Sequence, residues 1–160
     1  MAAGASAAAA REGAGNMKKS AFIKQLDGAV IEAAIARSEK LTSGEIRVVV
    51  AHAPAEAPVP AAQKEFSRLG MQRTTLRNAV LIYIAPESQT FAVIGDEAVH
   101  AKCGDAFWSE IAAAMTEHFK AGRFTAGLEL GIARAGELLA AHFPGQSDDT
   151  NELPNAVIEQ

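Results

Sequence analysis

The stretch from Arg77 to Asp105, RNAVLIYIAPESQTFAVIGDEAVHAKCGD, constrains the fold more than any other part of the chain. Ala79–Ala85 is an almost unbroken apolar run, rich in Val, Ile and Tyr and too short for a typical core helix. It predicts a buried strand. Pro86-Glu87-Ser88-Gln89 supplies turn chemistry. Phe91–Ile94 is the returning strand, and Gly95 permits a sharp change of backbone direction where it ends. Asp96, Glu97 and Asp105 then crowd one end of the predicted sheet, where a hard cation or a phosphate could be handled.

Around this hairpin the periodicity is helical. Ser20 to Lys40 reads as one helix, with Ile23, Leu26, Val30 and Ala34 at three- and four-residue steps, Ser20 as its N-cap and a stop at Leu41-Thr42-Ser43-Gly44. Glu45–Ala51 (EIRVVVA) is a strand whose two faces are both mostly apolar, which predicts a central strand covered on both sides. Ala53–Pro60 (APAEAPVP) reads as a loop, and Ala61–Leu69 as a short helix closed by Gly70. Asp105 is a suitable N-cap for a helix over Ala106–His118, with Phe107, Ile111 and Met115 as its core stripe. Thr125 would cap a last helix running to about Ala141, with Leu128, Ile132, Ala135 and Leu139 inward. Gly127 and Gly131 in that helix suit close backbone packing. The order helix, strand, helix, strand, strand, helix, helix predicts an α/β single-domain layered sandwich, a small mixed β-sheet covered by helices on both faces. Residues 1–16 read as a leader, 17–143 as the domain, and 144–160 as a polar tail, surface-hugging or disordered.

Composition excludes several classes. The chain of 160 residues suits one core. Its net charge is −4 and no basic stripe interleaves with aromatics, which argues against nucleic acid. The single Cys103 cannot form an internal disulfide, so the fold does not depend on an oxidising compartment. No apolar run is long enough for a membrane helix. Ala2–Ala10 is small rather than hydrophobic and lacks the basic start of a secretory signal. These features predict a cytoplasmic protein without direct membrane insertion.

The residues that could carry chemistry each have a plainer role to compete with. Asp96, Glu97 and Asp105 could ligate Ca²⁺ or Mg²⁺, which take several oxygens; equally, Asp105 caps a helix and Asp96 makes a turn. Glu45 lines the same edge or simply opens a strand. Arg73, Arg77 and Asn78 could contact phosphate, since arginine forks suit that group, or belong to a polar loop. His100 and Cys103 lie near a predicted helix start, where a thiol could be activated; a lone cysteine is more often a small buried hydrophobe.

Taken in order, Ser43-Gly44-Glu45-Ile46-Arg47-Val48, Asn78-Ala79-Val80-Leu81-Ile82-Tyr83, Val93-Ile94-Gly95-Asp96, Asp105 and Phe119-Lys120-Ala121-Gly122-Arg123-Phe124 with Gly127 and Gly131 resemble the TPM domain family, from about Phe22 to Phe143. The resemblance implies a compact α/β sandwich with a Rossmann-like look. Family members include thylakoid-lumen proteins, some described as acid phosphatases, bacterial envelope proteins and animal membrane proteins; several bind Ca²⁺. By position, Asp96 and Glu97 fall in the family's glycine turn and Asp105 on its aspartate before the helix. The chain departs from the family at Asn78-Ala79, where Asn-Gly is usual, and at Gly95-Asp96-Glu97, where Gly-Tyr-Gly is common. The resemblance thus implies a Ca²⁺-binding accessory domain that works with a protein partner, such as a membrane protein. The alternatives are a metal-dependent acid phosphatase acting on phosphomonoesters, with Arg73 or Arg77 steadying the phosphate, or a ligand-free interaction module with an exposed apolar surface near Trp108.

Overall fold

The computed structural model describes residues 19–145, 153 and 155–159. The leader expected over residues 1–16 lies outside them. Four strands form one sheet: β1 (Glu45–Val50), β2 (Ala79–Ala85), β3 (Thr90–Gly95) and β4 (Ile158–Glu159), in the order β3-β2-β1-β4. β1 and β2 are parallel, matched from Glu45 opposite Ala79 to Val50 opposite Ile84. β2 and β3 form the expected hairpin, with Ile82 opposite Val93. Every residue of β1, β2 and β3 is buried, which explains the continuous apolar runs: a strand covered on both faces loses the polar alternation of a half-exposed one.

Five helices supply that cover: α1 (Lys19–Lys24), α2 (Gly28–Glu39), α3 (Pro58–Arg68), α4 (Glu97–Lys120) and α5 (Phe124–His142). Because side chains alternate along a strand, Ile46, Val48 and Val50 share a face with Val80, Ile82, Ile84, Phe91, Val93 and Gly95. α2 and α5 pack on β1 and α4 on β3; Phe91 meets Phe119 of α4 edge to face, with ring centroids 5.1 Å apart. The opposite face belongs to α3, which packs on β2 and β3. The molecule is therefore a single-domain α/β sandwich with a small mixed sheet.

Local chemistry overrides the periodic pattern at four places. The single helix expected over Ser20–Lys40 is broken at Asp27, which caps α2 by accepting from the Val30 amide at 3.2 Å. Its own amide donates to Thr125 Oγ1 at 3.1 Å, so the hydroxyl expected to cap α5 instead ties the two helices together. The segment read as a loop to Pro60 already turns into α3 at Pro58. Proline is tolerated there because the amides of a first helical turn have no intrahelical partner to lose. α4 has a first segment that was not expected, capped by Asp96, and Gly104, whose φ of 71° is not helical, divides it from the segment expected over Ala106–His118. Lastly, the polar tail returns to the sheet: Ile158 lies opposite Val49, parallel to β1.

Trp108 is fully buried and does not itself form the exposed apolar surface expected near it; among the described residues, the large hydrophobic residues that are exposed are Leu41 and Leu76. Trp108 is instead seated on the sheet where Gly95 leaves room. A Cβ at Gly95 would stand 2.6 Å from the indole Cη2, closer than packed atoms allow. Gly131 makes the same allowance for Met115, as the glycine pair in the last helix suggests. Among the described residues, no helix is long and apolar enough to cross a membrane.

Gly95→Ala is expected to destabilise the fold by about 1–3 kcal/mol through overpacking against Trp108. Urea denaturation followed by tryptophan fluorescence measures this; an unchanged midpoint would mean that the indole has space to move.

Candidate functional site

The end of the sheet at which β1 and β2 begin and β3 finishes gathers most of the buried polar side chains. The chain approaches β2 through a turn in which the Thr74 carbonyl accepts from the Arg77 amide at 3.2 Å and Thr74 Oγ1 accepts from the Asn78 amide at 3.2 Å. This turn sets Arg77 at a φ of 53°, in the left-handed region that non-glycine residues seldom adopt.

That conformation aims the guanidinium at the start of α4. Arg77 Nε donates to Asp96 Oδ2 at 2.8 Å and its Nη2 to Asp96 Oδ1 at 3.0 Å, while Nη1 lies 3.1 Å from Glu97 Oε1. Asp96 is fully buried. Its Oδ1 also accepts from the Glu97 amide at 2.8 Å as the N-cap of α4, and its own amide donates to the Ala79 carbonyl at 2.9 Å. The two oxygens of Asp96 thus accept three hydrogen bonds. Paired in this way, Asp96 works as a brace joining the entry of β2 to the exit of β3.

Asp105 stands apart from this brace. Its side chain is 70% exposed, and Oδ1 is 3.7 Å from His100 Nε2. His100 Nδ1 in turn accepts from the Trp108 indole N–H at 3.3 Å. Arg73 is exposed. Asp96 and Glu97 therefore share Arg77, and Asp105 is directed elsewhere. Among the described residues, no group of three or more His, Cys, Asp or Glu side chains is arranged to hold a metal ion. Cys103 is half-buried, and burial pushes its thiol up to about 11; it is a neutral thiol at pH 7 and not an activated one.

A second group of polar atoms lies at the neighbouring entry of β1. Glu45 is almost fully buried, and Glu39, the last residue of α2, bonds to it side chain to side chain. Glu39 Oε2 also accepts from the Ile46 amide at 2.9 Å. Burial foremost, then the hydrogen bond to Glu45, raises the Glu39 carboxyl to about 9, although the Ile46 amide pulls the other way. Glu39 therefore carries a proton at neutral pH. Asn78, fully buried, adjoins the pair: its carbonyl accepts from the Glu45 amide at 3.4 Å, and its Nδ2 donates to Ser43 Oγ at 3.3 Å. Asn78 Oδ1 is a buried acceptor without a hydrogen-bond partner among the described residues. Such atoms are costly to keep.

Sequence reasoning named Glu45 and Asn78 but missed Glu39. The available signal was its spacing. Glu39 and Glu45 flank Leu41-Thr42-Ser43-Gly44, and a tight return there must bring the end of a helix and the start of a strand together. The return is pinned by the Ser43 amide, which donates to the Phe143 carbonyl at 2.9 Å, and by Thr42 Oγ1, which donates to the same oxygen.

Comparison with known proteins agrees with this architecture. The family model for the TPM domain matches residues 17–138. The solution NMR structure of BA42 protein from the psychrophilic bacterium Bizionia argentinensis superposes with a TM-score of 0.77 at 39% sequence identity, covering 84% of this chain and 95% of that one. Among curated proteins, none matches the chain.

Asp96→Ala is expected to cost at least the roughly 1 kcal/mol of a lost N-cap. Arg77→Ala should cost more, because it leaves the buried carboxylate unpaired, and Arg77→Lys should not restore the two-pronged pair. Chemical denaturation of the three variants gives the order, and the reverse order would refute the brace. Glu39 generates a pH dependence of opposite sign to that of an ion-paired carboxylate. Its folded-state pKa lies above the unfolded value, so its contribution to stability is greatest below pH 4.5 and is lost as pH rises towards 9. The slope is at most about 1.4 kcal/mol per pH unit for one proton. In Glu39→Gln the melting temperature should fall less steeply between pH 5 and 9 than in the unaltered chain; parallel curves would show that Glu39 does not titrate high.

Proposed function

Because the chain belongs to the TPM domain family, we propose that it is a divalent-cation-binding accessory domain that acts through a protein partner. One observation supports this reading: two carboxyl groups, that of the half-buried Glu39 and that of the buried Glu45, meet side chain to side chain at the entry of β1. All the donors at this edge are oxygens, the ligands that Ca²⁺ and Mg²⁺ prefer. A cation there would take the place of the proton and neutralise the carboxylates. Glu39 and Glu45 would hold it, with main-chain carbonyl oxygens and water completing the set. The flexible demands of Ca²⁺ suit this mixed set better than the stricter octahedron of Mg²⁺.

Asp96, Glu97 and Asp105 form the competing location for the ion. Arg77 already compensates the first two, and Asp105 faces His100, so the pair at Glu39 and Glu45 is the stronger candidate. A phosphate-binding role for Arg77 would have to break the same ion pairs, and for that reason phosphomonoester hydrolysis is not the reading adopted. A cytoplasmic setting belongs to the same proposal and rests on the composition of the chain, and a partner that is itself a membrane protein rests on the family resemblance.

Calorimetric titration of the metal-stripped protein with Ca²⁺ and with Mg²⁺, alongside its melting temperature, tests the proposal. Binding to the folded state must raise that temperature. Saturable heat with proton release is expected at neutral pH, abolished by Glu39→Gln or Glu45→Gln and retained by Asp105→Asn. Loss of binding in Asp96→Asn alone would move the ion to the outer carboxylates. Absence of heat and of any thermal shift at millimolar ion would refute cation binding.

A further inference from the structure

The outer edge of β1 has an unusual occupant. The Ala51 amide donates to the Ile84 carbonyl of β2. Amides alternate in direction along a strand, so those of Ile46, Val48 and Val50 point away from β2. The Ile46 amide is taken by Glu39 Oε2. Further along, the edge is met by β4, which among the described residues is matched over Ile158 and Glu159, whereas β2 is matched along the whole of β1. β4 also lies beyond the residues that match the family domain. Val157 and Ile158 are half-buried and pack against the core without belonging to its buried centre. This edge is therefore a strand-accepting surface with a short plug from the same chain.

Arg47 indicates what fits the edge better. It lies on β1 two residues before Val49, is 8% exposed, and its Nε is a buried donor without a hydrogen-bond partner among the described residues. Burial and the neighbouring Arg68 both work against its charge, so a carboxylate beside it would be strongly favoured. Val49 lies opposite Ile158. Continuing that parallel register back by two residues sets Ala156 abreast of Arg47, on the same face of the sheet. Ala156 has only a methyl group to offer. Beside β1 the paired part of the cis segment thus supplies an aliphatic side chain at Val49 and only a methyl group abreast of Arg47.

We propose that the outer edge of β1 is a β-augmentation site for an extended peptide of a partner protein, carrying an acidic residue abreast of Arg47 and a β-branched residue opposite Val49, with β4 as its displaceable cis competitor. Main-chain bonds would give such a peptide its affinity and the alternating side chains its specificity. The tether gives β4 an effective concentration in the millimolar range, so a competing peptide must outbid it with the Arg47 contact. This inference stands independently of cation binding.

The test uses the full-length chain. Ile158→Pro removes a ladder amide and releases β4. Fluorescent peptides with the sequence of residues 151–160, one native and one carrying Ala156→Glu, are titrated against this variant and against the unaltered chain by anisotropy. The Ala156→Glu peptide is expected to bind Ile158→Pro about tenfold more tightly than the native peptide does, in line with a charge-assisted hydrogen bond. The unaltered chain should bind both more weakly, and Arg47→Met should erase the preference. A second measurement does not depend on added peptide: Ala156→Glu within the full chain should raise the melting temperature, and Arg47→Met or Arg47→Gln should cancel the gain. Failure of either peptide to bind Ile158→Pro, a preference that survives Arg47→Met, or the lack of any thermal gain would each overturn the proposal. Dimerisation of the unaltered chain by exchange of β4 would also overturn it, by making a second copy the occupant.

Discussion

A carboxylate with no exposure to water must be paired, and Asp96 is such a group. Much of the local structure follows from meeting that requirement. Arg77 has to present both prongs, so the turn before β2 holds a non-glycine residue in the left-handed region. The same carboxylate starts α4, which then carries Trp108 to the sheet at Gly95. The cost of the strained turn and the cost of desolvating the charge are met by one network. Its members enter and leave the sheet at neighbouring points on β2 and β3, which is why the hairpin and the long helix keep a fixed relation.

The fold was legible because its two main strands bury both faces. Continuous runs such as VLIYI cannot serve as amphipathic helices and leave little choice of element. The helix boundaries were less legible. Asp27 and Asp96 as caps, and Pro58 at a first turn, are set by a handful of atoms, whereas periodicity is spread over many. β4 was illegible for a related reason: two residues in a polar tail have no pattern, and their pairing depends on an edge formed by distant sequence.

Of the candidate site, the residue types were readable and the partnerships were not. Asp96 and Glu97 could be seen to sit at a sheet end, but nothing in the local sequence shows that Arg77 would bend back to meet both. Asp105 reads as a helix start, and the break at Gly104 does begin a new helical segment there, but its side chain lies in solvent near His100. Glu39 reads as an ordinary polar residue on the last turn of a helix. Only the return through Thr42 and Ser43, anchored on Phe143 from the far end of the domain, brings it against Glu45. Sequence-local reasoning finds single carboxylates; a pair formed by closure of the chain appears only once long-range contacts are known.

The proton on Glu39 also alters the electrical character of the molecule. The formal charge of −4 counts every carboxylate as ionised, so the folded protein at neutral pH is one unit less negative than its composition states. Unfolding releases that proton and makes the chain more acidic. In an electric field, the folded and unfolded forms would migrate differently for this reason as well as for their size. A doubly charged ion that displaced the proton would add only one net charge, so electrophoretic mobility would register half of the charge that calorimetry counts as bound.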